Sequence, residues 1–278
     1  MKEVEWGCRA RDGTELHLRE WRPEGAVRAV VSLVHGLGDH SGCFTRLTEF
    51  FVKNAVSVVA IDLHGNGKSG GKRGDIRSPD VFMDDIAVVL GEAESRYAGV
   101  PRFLYGHSLG GGLVLNYLLR RGPSLSGCIA SSPWLALAGD QSRMIRKARI
   151  VSRFLPRYTI DAGINAKVLS HDTAFVDSYA SDPLVHGLIS VRLLSEVSRA
   201  AEWATLHASE LATPTLIMHS PVDALTSFEA SRAFAQAAGP QMCTFKQWDG
   251  AFHSLHNEVN AEEIFTYVLG WMEKNGKS

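Results

Sequence analysis

Short apolar runs alternate with longer stretches of helical periodicity along most of this 278-residue chain. The runs at residues 29–34, 56–61, 102–105, 127–130, 215–219 and 243–248 have the length of strands buried on both faces, and helix-length periodic segments separate most of them. Strands that alternate with helices are joined by crossovers, so the pattern predicts an α/β fold with a mostly parallel sheet covered on both faces. Ahead of these runs, residues 4–9 and 15–21 flank Arg11-Asp12-Gly13. The Asp-Gly pair supplies the positive backbone angle of a tight turn, which predicts an antiparallel hairpin at the sheet edge.

The rhythm breaks once. Between the run ending near Ser131 and the one opening at Thr215 lie more than eighty residues of helical character with no convincing strand. This predicts an inserted helical cap, residues 133–211, on a core formed by residues 1–132 and 212–278. The first cap helix is amphipathic: Met144, Ala148, Val151 and Leu155 share one stripe, Arg146, Arg149 and Arg153 lie opposite, and Pro156 stops it. Residues 143–157 carry six basic side chains and no acidic one. Two readings fit them: the solvated face of an ordinary helix, or a lid that leans transiently on an anionic lipid surface.

Composition narrows the class. With 45% hydrophobic and 21% charged residues the chain is globular, and a net charge of -1 gives no general pull toward nucleic acid, so no nucleic-acid partner is expected. Cys8, Cys43, Cys128 and Cys243 lack paired metal-ligand spacing and read as free thiols of a reducing compartment. The amino terminus lacks an apolar stretch of signal length, and no window reaches the roughly 18 apolar residues of a membrane span. A soluble, cytoplasmic protein is expected, peripheral to membranes at most. The dispersed histidines show no H-E-x-x-H, and no G-x-G-x-x-G opens a helix, so neither metal nor cofactor is expected. The oligomeric state is not legible.

The candidate chemistry begins at Gly106-His107-Ser108-Leu109-Gly110, which follows the run 102–105 without a gap and opens onto the helical pattern 113–119. A strand that turns sharply into a helix through a G-x-S-x-G sequence holds its serine hydroxyl out above the sheet. Gly67-Lys68-Ser69-Gly70-Gly71 satisfies the same pattern, but no strand enters it tightly and no helix leaves it, so Ser69 reads as part of a solvated Gly-rich turn.

A serine alcohol needs a base, an acid that orients the base, and donors for the developing oxyanion. In this architecture the acid follows a late strand and the base follows the last one, which points to Asp223 and His253. Asp249 competes as the acid, although an aspartate in the Trp248-Asp249-Gly250 turn commonly bonds its own backbone, and His256 competes as the base. The oxyanion donors are expected to be the backbone amides of Leu37, in His35-Gly36-Leu37-Gly38, and of Leu109. His35 reads as a hydrogen-bonded structural histidine.

These residues resemble the α/β-hydrolase superfamily, and within it the monoacylglycerol lipase and lysophospholipase group, also called serine aminopeptidase S33-like hydrolases. The resemblance spans nearly the whole chain. It rests on the segments beginning at His35, Asp62, Gly106, Ser131, Ser181 and Phe252: HGLGDH, DLHGNGKS, GHSLGG, SSP, SDPL and FHSLHNE. The group keeps its catalytic histidine at the position of His253, which strengthens that choice over His256. The resemblance implies a helical cap over an apolar acyl tunnel and hydrolysis of a monoacylglycerol or similar single-chain lipid ester. A lysophospholipase or broad carboxylesterase is the alternative within enzymes, and an aminopeptidase would need acidic cap residues such as Asp172, Asp177 and Asp182 to hold an amine. From another class, a non-catalytic ligand-binding protein on this scaffold remains open. Two departures bear on specificity: His64 and Asn66 stand where the group more often has arginine and histidine, and His219-Ser220-Pro221-Val222-Asp223 replaces the usual His-Gly opening before the acid.

Overall fold

The computed structural model describes residues 1–276. Its strands are β1 (Lys2–Arg9), β2 (Glu15–Arg22), β3 (Ala29–Val34), β4 (Val56–Asp62), β5 (Arg102–His107), β6 (Gly127–Ser131), β7 (Thr159–Asp161), β8 (Leu188–Ser190), β9 (Thr215–His219) and β10 (Cys243–Gln247). Its α-helices are α1 (Thr45–Lys53), α2 (Asp80–Arg96), α3 (Leu109–Arg121), α4 (Ser142–Val151), α5 (Thr173–Ser181), α6 (Val191–Leu206), α7 (Phe228–Ala238) and α8 (Ala261–Asn275).

Eight strands form one sheet in the order β1-β2-β4-β3-β5-β6-β9-β10. The predicted hairpin is there: β1 pairs antiparallel with β2 across a turn in which Gly13 has φ 87°, and β2 pairs antiparallel with β4. Every other pairing within this eight-stranded sheet is parallel. Because successive side chains of a strand point to opposite faces, the central strands feed two apolar layers. Val30, Val34, Val59, Ile61, Leu104 and Ala130 pack toward α2 and α3, while Val31, Leu33, Val58, Ala60, Phe103 and Ile129 pack toward α1 and α8. β5 and β9 are buried between these layers, so their C-terminal ends are rigid platforms for the loops that leave them, and β10 extends the sheet at its edge.

The segment between β6 and β9 departs from the sequence reading in two places. It contains a short antiparallel pair, β7 with β8, where no strand was expected. Three-residue strands are too brief to show a period, which hid them. Helix α4 ends at Val151, ahead of Pro156, and of the expected apolar stripe only Ala148 is buried. Met144, Val151 and Leu155 stay exposed, joined by Ile150, Phe154 and Tyr158. Two of the basic side chains find partners, Arg149 with Glu202 at 2.6 Å and Arg157 with Asp75 at 3.4 Å.

The four cysteines are free; Cys128 and Cys243 are buried, and Cys8 and Cys43 are partly exposed. Among the described residues no helix is long and apolar enough to cross a membrane.

Candidate active site

Strand β5 ends at His107 and α3 starts at Leu109, so Ser108 alone makes the turn. Its backbone sits at φ 55° and ψ -117°, a conformation that costs a residue with a Cβ and persists only where its surroundings enforce it. The surroundings do so: Ser108 N–H donates to the Ser131 carbonyl at 2.9 Å, and the Ser108 carbonyl accepts from Gly112 at 3.0 Å and Trp134 at 2.8 Å. The flanking glycines are required by contact. A Cβ on Gly106 would lie 2.4 Å from the Gly110 carbonyl oxygen, and one on Gly110 would lie 2.4 Å from the carbonyl oxygens of Val34 and His35.

Asp223, in the loop after β9, and His253, in the loop after β10, are brought together: His253 Nδ1–H donates to Asp223 Oδ2 at 2.7 Å. Both side chains are buried, at 3% exposure for His253 and 0% for Asp223. The carboxylate is held on both oxygens. Oδ1 accepts from the backbone amides of Leu225 at 2.8 Å and Thr226 at 3.1 Å, while Oδ2 also faces Thr226 Oγ1 at 2.9 Å and His219 Nε2 at 3.0 Å. Burial alone would raise the Asp223 carboxyl, but the imidazoles of His253 and His219 outweigh it and hold the group well below the usual carboxylate range.

The ring of His107, next to the elbow serine, lies 4.9 Å from that of His253, centroid to centroid. Among the described residues neither Ser108 Oγ nor His253 Nε2 takes part in a hydrogen bond within the protein.

Asp249 and His256, the competitors, are engaged elsewhere. Asp249 is exposed and accepts from Gln247 at 2.6 Å. His256 is stacked on Phe44 with ring centroids 4.2 Å apart, and burial pushes its imidazole down to about 3. Burial likewise holds His107 well below its ordinary value, so both neighbours of His253 are neutral rings near neutral pH. His35 is structural, donating from Nδ1 to the Gly36 carbonyl at 2.7 Å and accepting at Nε2 from Leu63 N–H at 2.9 Å.

The loop holding Leu37 lies against the elbow: a Cβ on Gly36 would be 3.2 Å from Ser108 Cβ. No hydrogen bond of the described residues uses the amide of Leu37 or of Leu109. The loop is clamped by the β6–β9 segment. Asp39 accepts from Gly36 N–H at 3.2 Å and from the Tyr179 hydroxyl at 2.5 Å, His186 N–H donates to the Gly38 carbonyl at 3.1 Å, and His40 Nε2 meets Asp182 at 3.0 Å. The same segment reaches the histidine loop, where Ser254 N–H donates to the Leu169 carbonyl at 2.7 Å.

Ser69 stands apart from these groups. It lies in a turn, as expected, but it is buried rather than solvated: its hydroxyl donates to the Asp62 carbonyl at 2.5 Å and accepts from His17 N–H at 2.8 Å. Sequence reasoning missed His219 and Thr226 as partners of Asp223. The available signal was a histidine ending an apolar strand four residues ahead of the acid, since a buried imidazole requires polar partners.

A doubly covered parallel sheet with a strained elbow serine, and with an acid and a histidine paired on the loops after its late strands, defines an α/β-hydrolase. Within that class the chain belongs to the serine aminopeptidase S33 family, whose model matches residues 25–260. It is similar to the human monoglyceride lipase, at 32% identity over 273 residues that cover 95% of this chain and 88% of that one. It is 34% identical over 266 residues to an uncharacterized abhydrolase domain-containing protein of Dictyostelium discoideum, of which it spans 28% of the length. Among solved structures, the crystal structure of Paleococcus ferrophilus monoacylglycerol lipase superposes with a TM-score of 0.84 and 31% identity, covering 99% of this chain and 100% of that one.

Proposed function

We propose that this chain is a serine hydrolase of single-chain lipid esters, a monoacylglycerol lipase. Ser108 is the nucleophile, His253 the general base and Asp223 the acid that orients it. The observation that carries the reading is the 2.7 Å bond from His253 Nδ1 to Asp223, which leaves Nε2 open beside the elbow. Ser108 Oγ attacks the ester carbonyl while His253 Nε2 takes its proton, and the oxyanion is received by the free amides of Leu37 and Leu109. The proton passes to the departing glycerol oxygen. Water, activated by the same imidazole, then attacks the acyl-serine and releases the fatty acid. The Ser108–His253 bond closes as substrate enters, since such contacts are often long beforehand.

Residues 133–211 are assigned as the cap over this site, and the acyl chain lies beneath it. Each buried CH₂ contributes about 0.8 kcal/mol, which favours medium and long chains over acetate. A peptidase reading has less support, because two of the three cap carboxylates that would hold a substrate amine are engaged: Asp182 with His40 at 3.0 Å and Asp172 with Arg46 at 3.1 Å.

The exposed Ile150, Phe154, Leu155 and Tyr158, near the exposed Arg143, Arg146, Lys147 and Arg153, support contact of the cap with an anionic lipid surface. The triple variant I150S/F154S/R153E is expected to lose about 10-fold or more in sedimentation with phosphatidylserine vesicles, and unchanged sedimentation would remove the membrane contact.

The function itself is tested with a fluorophosphonate probe, which is expected to label the wild type and not Ser108→Ala. Assays beside it compare monoacylglycerols of increasing chain length, triacylglycerol and lysophosphatidylcholine. Monoacylglycerol is expected to be hydrolysed fastest. A preference for lysophosphatidylcholine or triacylglycerol, or labelling that survives in Ser108→Ala, would overturn the assignment.

A further inference from the structure

Asp223 Oδ2 is shared by two histidines, and the catalytic reading uses only one. His219, the last residue of β9, is fully buried with both ring nitrogens occupied: Nε2 lies 3.0 Å from Asp223 Oδ2, and Nδ1 lies 2.8 Å from Ser231 Oγ on α7. An ionised carboxylate has no proton to give, so Nε2 is the donor. In that tautomer Nδ1 carries the lone pair and the Ser231 hydroxyl donates to it. Asp223 and Ser231 together favour this arrangement of the ring. The ring is further held edge-on to Phe228, 6.0 Å away between centroids at 80°, and the His219 carbonyl accepts from Trp248 N–H at 3.0 Å. That last bond ties the strand bearing the acid to the start of the loop bearing the base.

We propose that His219 is a positioning residue for the acid. Resting on the triad reading above, it aims Asp223 Oδ2 at His253 and withdraws negative charge from that oxygen. Every donor a carboxylate accepts spreads its charge, so Asp223 stabilises the His253 imidazolium less than a carboxylate without His219 would. The geometry thus trades some stabilisation of the cation for a fixed direction of the carboxylate. Among the described residues no other titratable side chain bonds Asp223: beside the His219 and His253 imidazoles it meets the Thr226 hydroxyl from the same loop, and the nearby rings of His107 from β5 and His256 from the turn after His253 are neutral.

The test is the pH dependence of kcat/KM on a soluble ester. His219→Leu removes the donor, and H219L/S231A does so without leaving a buried hydroxyl orphaned. In both, the acid limb is expected to move up by about half a pH unit or more, and kcat to fall about 10-fold with KM within about threefold. His219→Gln, whose amide can still donate to Asp223, is expected to restore the limb. Ser231→Ala, the mildest change, is expected to move it in the same direction by less; it gives the readout if the Leu variants do not fold. An acid limb unmoved in folded variants, or a His219→Gln variant as impaired as His219→Leu, would overturn the role. Fluorophosphonate labelling separates the two levels: a labelled wild type with an unmoved limb removes His219 alone, whereas a wild type that resists the probe removes the triad reading beneath it.

Discussion

Two buried histidine–aspartate pairs in this molecule have the same bond length. His253 Nδ1 meets Asp223 at 2.7 Å, and His64 Nδ1 meets Asp85 at 2.7 Å. Both carboxylates have 0% side-chain exposure and both accept backbone amides as well. They differ at the other end of the ring. His64 Nε2 faces a second carboxylate, Asp12, at 3.3 Å, so the imidazole is a bridge from the β1–β2 turn to α2. His253 Nε2 is left open at the end of the sheet where Ser108 turns. A short His–Asp bond therefore orients a ring. Proton transfer requires the opposite nitrogen to be free and to face an acceptor or donor that reacts.

The contrast is broken most directly by deleting each imidazole. His253→Ala is expected to lower kcat by at least about 10⁴-fold on any ester substrate, the scale seen when a member of such a constellation is removed. His64→Ala is expected to change kcat by less than about 10-fold, because its ring reaches no reacting atom. Steady-state kinetics on purified, folded variants decide it. Comparable losses at the two positions would mean that the His64 pair acts in turnover and that ring orientation alone does not separate them.

The legibility of these two sites in the sequence differed for physical reasons. Ser108, Asp223 and His253 each follow a strand long enough to be recognised, and a strand end fixes a loop residue in space; β3 and β9 match their predicted limits, Ala29–Val34 and Thr215–His219. The His64 pair joins residues from a turn, a loop and a helix, contacts made across the fold that no local period encodes. The same limit hid His219, whose partner Ser231 lies on α7. In the β6–β9 segment the heptad-like stripe of α4 was visible, but whether such a stripe is buried depends on what packs over it. Only Ala148 is buried, and Met144, Val151 and Leu155 remain exposed. The structure shows what His64 does: it stands as a titratable group between two carboxylates, Asp85 and Asp12.

That placement predicts the smallest and most specific of the expected effects. Burial pulls the His64 imidazole down, but Asp85 and Asp12 outweigh it and leave the ring above its ordinary value, while burial raises the Asp85 carboxyl. A histidine whose folded-state value lies above the unfolded one stabilises the fold fully below about pH 6.5 and loses that contribution as pH rises through the folded value. His64→Gln keeps a polar side chain but cannot carry the charge, so it is expected to cost about 1.5–3 kcal/mol at pH 6, the range for a hydrogen bond to a charged group. The cost should shrink at pH 9, because the wild-type ring is then neutral too. His17 is also raised, by Asp62 and Glu5 against its own burial, and it titrates in the same window. The informative quantity is therefore the difference between wild type and variant in urea unfolding at each pH, in which the contribution of His17 cancels. A difference that stays constant or grows from pH 6 to pH 9 would show that His64 is a neutral hydrogen-bonded ring in the fold, and the two pairs would then differ only in what faces Nε2.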